Sequence, residues 1–299
     1  MRRAPFWATV AVCGVAVLSP APAVAWGTLA HQFIMRRAID LLPPELKPMF
    51  EHRRDELAVR VVDPDTWRNV GWPDDPNHFL DFGVKEYGAY PFGALPRDYG
   101  AALEKFGSAT LDRNGRLPWR FAEQFGNLRR AFEGVTRESP YSMSDVVLFS
   151  AIASHYIQDA YQPLHATDNY DGVQTGQRGV HARFERDLFE RFQPKLTIAP
   201  PPVTPIDNPR DVAFDVLLAS YQQVDVLLKA DREAAAGRER YDEVYFDRFW
   251  EAARSVMEAR LSSAISATAG LITGAWIQAG RPTVRLQEAR PVQKIERSR

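Results

Sequence analysis

From Val146 to Tyr161 the sequence is apolar nearly all the way round a helix, yet it carries His155 and Asp159 four residues apart. A helix hydrophobic on every side has to run through a core. An imidazole and a carboxylate on one face of it cost free energy there unless something satisfies them. A cation would satisfy both. The chain is therefore expected to wrap other helices around this one and to bring further ligands to it. Pro163 stops the helix and His165 follows. His181 and Glu185 again stand four apart, on a helix expected from about Gly179 to Phe192. Such mixtures of imidazole and carboxylate suit zinc without any thiolate.

The rest of the chain reads as helices with almost no strand pattern. Thr28 can cap a helix to about Leu42, with Phe33, Ile34, Ala38, Leu41 and Leu42 on its apolar side and Pro43-Pro44 behind it. From Val61 to about Trp119, Pro, Gly, Asp and aromatic residues without clear periodicity predict long ordered loops. Gln193 to Pro209 holds six prolines and reads as a connector. Two amphipathic helices are expected after it, about Asp211 to Leu228 and about Asp242 to Gln278, and a polar, basic, disordered tail from Gly280 to Arg299. The expected fold class is all-α, one multi-helix bundle with long ordered loops, spanning residues 26–279.

The first 25 residues carry Arg2 and Arg3, an apolar run from Phe6 to Leu18 and a small-residue Ala23-x-Ala25 site, which is the grammar of a secretory signal peptide. Cleavage after Ala25 would make Trp26 the first residue of a secreted or periplasmic chain of about 274 residues. Its free amine and carbonyl could then chelate a metal five residues before His31. Cys13, the only cysteine, would leave with the leader, so no disulfide is expected and stability must come from core size and bound metal. The remaining 35 basic and 38 acidic side chains nearly balance, which is no nucleic-acid footprint.

One His-x-x-x-acid pair proves little, because about one arises by chance with six histidines and 38 acids in 299 residues. His52 with Glu56, amid Glu51, Arg53, Arg54 and Asp55, reads as such a pair on a solvated face. The other five histidines, however, fall in motifs that together resemble one superfamily, the zinc-dependent phospholipases C and single-strand-specific nucleases. The motifs are Trp26-Gly27 with His31, Asn77-His78-Phe79, His155-Tyr156-Ile157-Gln158-Asp159, Gln162-Pro163-Leu164-His165, and Gly179-Val180-His181-x-x-x-Glu185. The resemblance covers most of the chain from Trp26 to about residue 190 and is weak beyond it. It implies three zinc ions per chain: one held by Asp65, His78, His155 and Asp159; a second by His165, His181 and Glu185; a third by the Trp26 amine and carbonyl, His31 and Asp159. Asp159 would bridge two of them. The family usually has Gly where this chain has Gln158. Both Asp63 and Asp65 lie at plausible distances before His78; Asp65 is favoured because Asp65-x-x-Arg68 matches the family's Asp-x-x-Arg, with Arg68 near the phosphate. Asp168, Asn169 and Asp171 read as shaping the loop between ligands, and Asp74, Asp75 and Asp81 as turn residues or partners of the ligands.

The activity this implies is hydrolysis of a phosphodiester by a metal-activated water without a covalent intermediate, with Asp65 able to accept a proton from that water. The short Trp26–His31 interval and Asp65-x-x-Arg68 look nuclease-like. Glu185, the 16-residue step from His165 to His181 and the absence of further cysteines look like the phospholipase branch, which is the preferred expectation. Trp67 and Trp72, with Phe79, are the candidate substrate-binding residues, able to enclose a choline ammonium or stack on a base. Expected partners are a phospholipid or other phosphodiester and a transient membrane-surface contact, with no stable nucleic-acid complex, for a monomer. A reading of another class is a secreted zinc-binding protein without catalysis, which would need the same ligands but no open coordination positions and no cleft.

Overall fold

The computed structural model describes residues 26–286, the side chain of Arg68 excepted. The expected leader, with its expected cleavage after Ala25, and the chain beyond 286 lie outside the described residues. Among those described there is no strand; one isolated bridge joins Phe82 and Thr167. The fold class is all-α, as expected. No helix among the described residues is long and apolar enough to cross a membrane.

Seven helices carry the architecture: α1 (Thr28–Asp40), α2 (Leu117–Thr136), α3 (Ser142–Ala160), α4 (180–192), α5 (Pro209–Tyr221), α6 (Val224–Ala235) and α7 (Glu243–Gln278). The helix expected to run through the core is α3, and every residue from Ser150 to Ala160 is buried. Helices α1, α2, α5 and α7 all pack on it. Helix α1 presents Ala30, Ile34, Met35, Ala38 and Ile39, and on the same buried face His31. In α7 the apolar spacing is dense from Leu261 to Trp276, so that half lies inside the molecule.

Three features depart from the sequence expectation. Helix α2 was not among the expected helices, although Leu117, Phe121, Phe125, Leu128 and Phe132 recur at the helical period and are buried. The expected loop region contains three short helices, Asp63–Trp67, Tyr99–Phe106 and Ser108–Asn114. The single helix expected from Asp211 to Leu228 is two, broken at Gln222–Gln223 with no Gly or Pro to mark it. Tertiary contacts fix the break: Arg260 of α7 donates to the carbonyl of Val216 and to Ser220 Oγ, and Ser220 Oγ donates to the carbonyl of Ala160 at 2.5 Å.

The proline-rich connector lies along α7, with Ala199 N donating to Ser262 Oγ at 3.0 Å and Ile206 N to the carbonyl of Gly270 at 3.0 Å. That close approach explains two glycines in a long helix. A Cβ on Gly270 or Gly274 would stand on the carbonyl oxygen of Thr204 or Ile206. After the helix, residues 280–286 turn back, and Trp276 Nε1 donates to the carbonyl of Pro282 at 2.9 Å.

Candidate metal centre

Asp159 occupies the last turn of α3 and is wholly buried. Its two carboxylate oxygens face different ways. Oδ2 lies 3.0 Å from His78 Nδ1 and 3.2 Å from His155 Nε2. Oδ1 lies 3.3 Å from His31 Nε2. Asp65 Oδ1, on the single helical turn Asp63–Trp67, stands 3.7 Å from both His78 Nδ1 and His155 Nε2. Of the two early carboxylates it is Asp65 that reaches this cluster; Asp63 turns to Arg60 at 3.6 Å. The next group adjoins it through His165, whose Nδ1 is 3.7 Å from Asp159 Oδ1: His165 Nε2 is 3.2 Å from His181 Nε2, which is 2.8 Å from Glu185 Oε2. His31 with His155 and Asp159, Asp65 with His78 and His155, and His165 with His181 and Glu185 are three sets whose ligand atoms could hold metal ions.

The far side of each ring decides what the near side can be. His155 Nδ1 donates to the carbonyl of Val61 at 2.8 Å, His165 Nδ1 to the carbonyl of His78 at 2.8 Å, His31 Nδ1 to Gln158 Oε1 at 2.7 Å, and His78 Nε2 to Asp74 Oδ2 at 3.1 Å. Each donation leaves the other nitrogen with a lone pair. Those of His155 and His78 then meet 3.0 Å apart, and two lone pairs repel at that distance unless a cation or a proton sits between them. Zinc bonds of about 2.0–2.1 Å in a tetrahedron place ligands about 3.3 Å apart, close to the spacings here. His31 Nε2, Asp159 Oδ1 and Asp65 Oδ2 are also buried without a hydrogen-bond partner. The donor set therefore fits a metal.

Electrostatics points the same way. Burial works against a charged His78, yet Asp159 and Asp74 overcome it and carry the ring up to about 10. Burial likewise opposes charge on His31 and His181, and Asp159 and Glu185 reverse it, raising both. Burial opposes the charge of Asp159 too, but His155 and His165 pull its pKa well below the usual carboxylate range. The cluster is thus an anionic cage that binds positive charge, whether a cation or protons.

Residues beyond the expected ligands complete the cage. Asp74, read from the sequence as a turn residue or ligand partner, accepts from His78, from Tyr156 Oη at 2.7 Å and from Asn77 Nδ2 at 2.7 Å. Arg120 donates to Tyr156 Oη at 3.2 Å and to Asp74 Oδ1 at 3.3 Å. Gln162 Nε2 donates to Glu185 Oε2 at 2.9 Å while its Oε1 accepts from Leu164 N, fixing the turn that carries His165. Tyr156, Gln158 and Gln162 lie inside the motifs; Arg120 carried no sequence signal. Helix α4 changes to π geometry over Arg183–Leu188, a local form often found at functional sites.

The aromatic candidates flank the centre. Trp67 and Trp72 rings stand 5.4 Å apart, Trp72 is 58% exposed, and the Arg120 guanidinium sits 6.0 Å from the Trp67 ring centre. Phe79, half-buried beside His78, accepts at its carbonyl from Leu117 N. Beyond Asn77 and Arg120 opens a groove of about 530 Å³ bordered by Tyr99, Arg116, Trp119 and Arg210. Trp26 is buried, with its indole donating to the carbonyl of Gln158 at 2.9 Å. Arg68 lies in the turn Arg68–Val70 with its side chain outside the described residues. His52 is exposed on the short helix Lys47–His52, away from all of this.

No protein-family model matches this chain, and no curated protein matches it in sequence.

Proposed function

We propose that this chain is a zinc-dependent phosphoric diester hydrolase, secreted or periplasmic, with three zinc ions held by Asp65, His78, His155 and Asp159, by His165, His181 and Glu185, and by His31, Asp159 and the Trp26 terminus. The observation that carries the reading is the buried Asp159 carboxylate, with Oδ2 directed at His78 and His155 and Oδ1 at the unpartnered Nε2 of His31. Zinc bound there would polarise phosphoryl oxygens and lower the pKa of a water. The chain's own groups supply the rest. Asp65 directs Oδ1 to the cluster and keeps Oδ2 buried and unpartnered, free to take a proton from the attacking water. Arg120, tied to Asp74, Tyr156 and Glu123 at the edge of the site, fixes the Asp74 carboxylate that receives His78.

The ligand spacing and Glu185 support phospholipid headgroup esters as substrate. A second reading, cleavage of an anionic strand, is favoured by Arg120, whose guanidinium stands over the Trp67 face that a choline would use; in the neighbouring groove Arg116 and Arg210 stand beside Asp98 and Glu123 and favour neither reading. The test is a set of three assays on the secreted protein. Bis(p-nitrophenyl) phosphate should be hydrolysed, EDTA should abolish turnover and zinc should restore it. Phosphatidylcholine turnover supports the phospholipase reading, single-stranded DNA turnover the second, and zinc-loaded protein inert on all three overturns the proposal. If choline lipids are cleaved, Trp67→Ala or Trp72→Ala should raise KM for them more than for the headgroup-free diester.

A further inference from the structure

We propose that Gln158 is the positioning residue of the third metal site, setting the ring state of His31 from the far side. The inference rests on the metal reading above. His31 offers Nε2 to the site only if its proton is on Nδ1, and a buried imidazole keeps that arrangement when Nδ1 has an acceptor. Gln158 Oε1 is that acceptor, 2.7 Å away, with no exposure of either residue. Its amide is oriented in turn by Nε2 donating to Thr268 Oγ1 of α7 at 3.4 Å. The same residue's carbonyl receives the Trp26 indole.

One residue of α3 thus holds both elements that approach from the N-terminal side, and it directly precedes Asp159, whose Oδ1 completes the pair with His31 Nε2. His78, His155 and His165 are oriented by a carboxylate or a backbone carbonyl. The His31 acceptor is instead a neutral side chain that a single substitution removes. Loss of such an outer partner typically weakens metal affinity about 10–100-fold. That loss should fall on the third ion, because the Gln158 side chain hydrogen-bonds to His31 and Thr268 and to no ligand of the other two.

The experiment uses the full chain expressed for secretion, as wild type, Gln158→Met, which keeps the volume without an acceptor, and Gln158→Glu, which keeps the acceptor. Zinc per chain is measured after dialysis and during titration with a chelator. Wild type and Gln158→Glu should hold three ions; Gln158→Met should hold two, with the third weakened tenfold or more and the helical circular dichroism unchanged. Three tightly held ions in Gln158→Met overturn the proposal, as does loss of all three, or failure of Gln158→Glu to keep the third. A wild type that binds no zinc overturns the metal reading itself, and one that binds three zincs without hydrolysing any diester overturns only the activity.

Discussion

Asp159 concentrates the argument into two oxygen atoms. Its charge holds facing imidazoles together, so Asp159→Asn should lower turnover by orders of magnitude and reduce bound zinc while helical content stays largely intact. His52→Ala, on the exposed helix, should change neither; equal effects from the two would remove the distinction between ligand and surface histidine. A Met left before Trp26 would convert its amine to an amide and, on the proposed ligation, should cost the third zinc alone; full zinc content with that start would contradict the Trp26 ligation. Asp81 makes a prediction about pH. Burial and the charge of Asp168 push its carboxyl up to about 8. A folded pKa above the unfolded one means the native state binds the extra proton, so Asp81 lowers stability as pH rises from about 4 to about 8. Asp81→Asn should flatten that part of the stability-pH curve in urea titrations, and an unchanged slope would show that Asp81 titrates normally. At this scale the sequence was informative wherever a ligand lay in a spaced pair or a motif. It was silent on Arg120, because a guanidinium that reaches Asp74 across 46 residues leaves no local pattern.

The elements show why fold class was easier to read than element boundaries. Helix α3 announced itself because burial on every side demands an unbroken apolar run. The break between α5 and α6 did not, because the contacts at the end of α5 come from Arg260 and the carbonyl of Ala160, far off in the chain. The glycines of α7 belong to the same lesson: they answer to the connector, not to helix propensity. Gly274→Ala raises propensity by about 1 kcal/mol but forces a methyl onto the Ile206 carbonyl. It should therefore destabilise by about 1–3 kcal/mol, and a raised Tm would refute the close packing. Helix α4 carries His181 and Glu185 on one side and a buried clamp on the other, where Arg183 donates to Asp231 Oδ1 at 2.9 Å and to the carbonyls of Gln177 and Arg178, with the Tyr241 ring 3.9 Å away. Removing one partner strands a buried charge, so Asp231→Ala should cost about 3–5 kcal/mol, visible as a clearly lower urea midpoint. A midpoint within error of wild type would show the clamp to be dispensable.

For the whole molecule, α1, α3 and α4 are fastened together through one polar centre inside an otherwise apolar core, and with Cys13 the only cysteine no disulfide within the chain cross-links them. Folding and metal binding should therefore be linked, and chelation should lower Tm and make it depend on free zinc. The most direct measurement is anomalous diffraction at the zinc edge from crystals of the secreted protein. Three peaks per chain, between Asp65, His78, His155 and Asp159, among His165, His181 and Glu185, and beside His31, Asp159 and the Trp26 terminus, are the predicted result. Fully occupied crystals with no metal peak, in which a protonated His78 is simply ion-paired with Asp74 and Asp159, would contradict it.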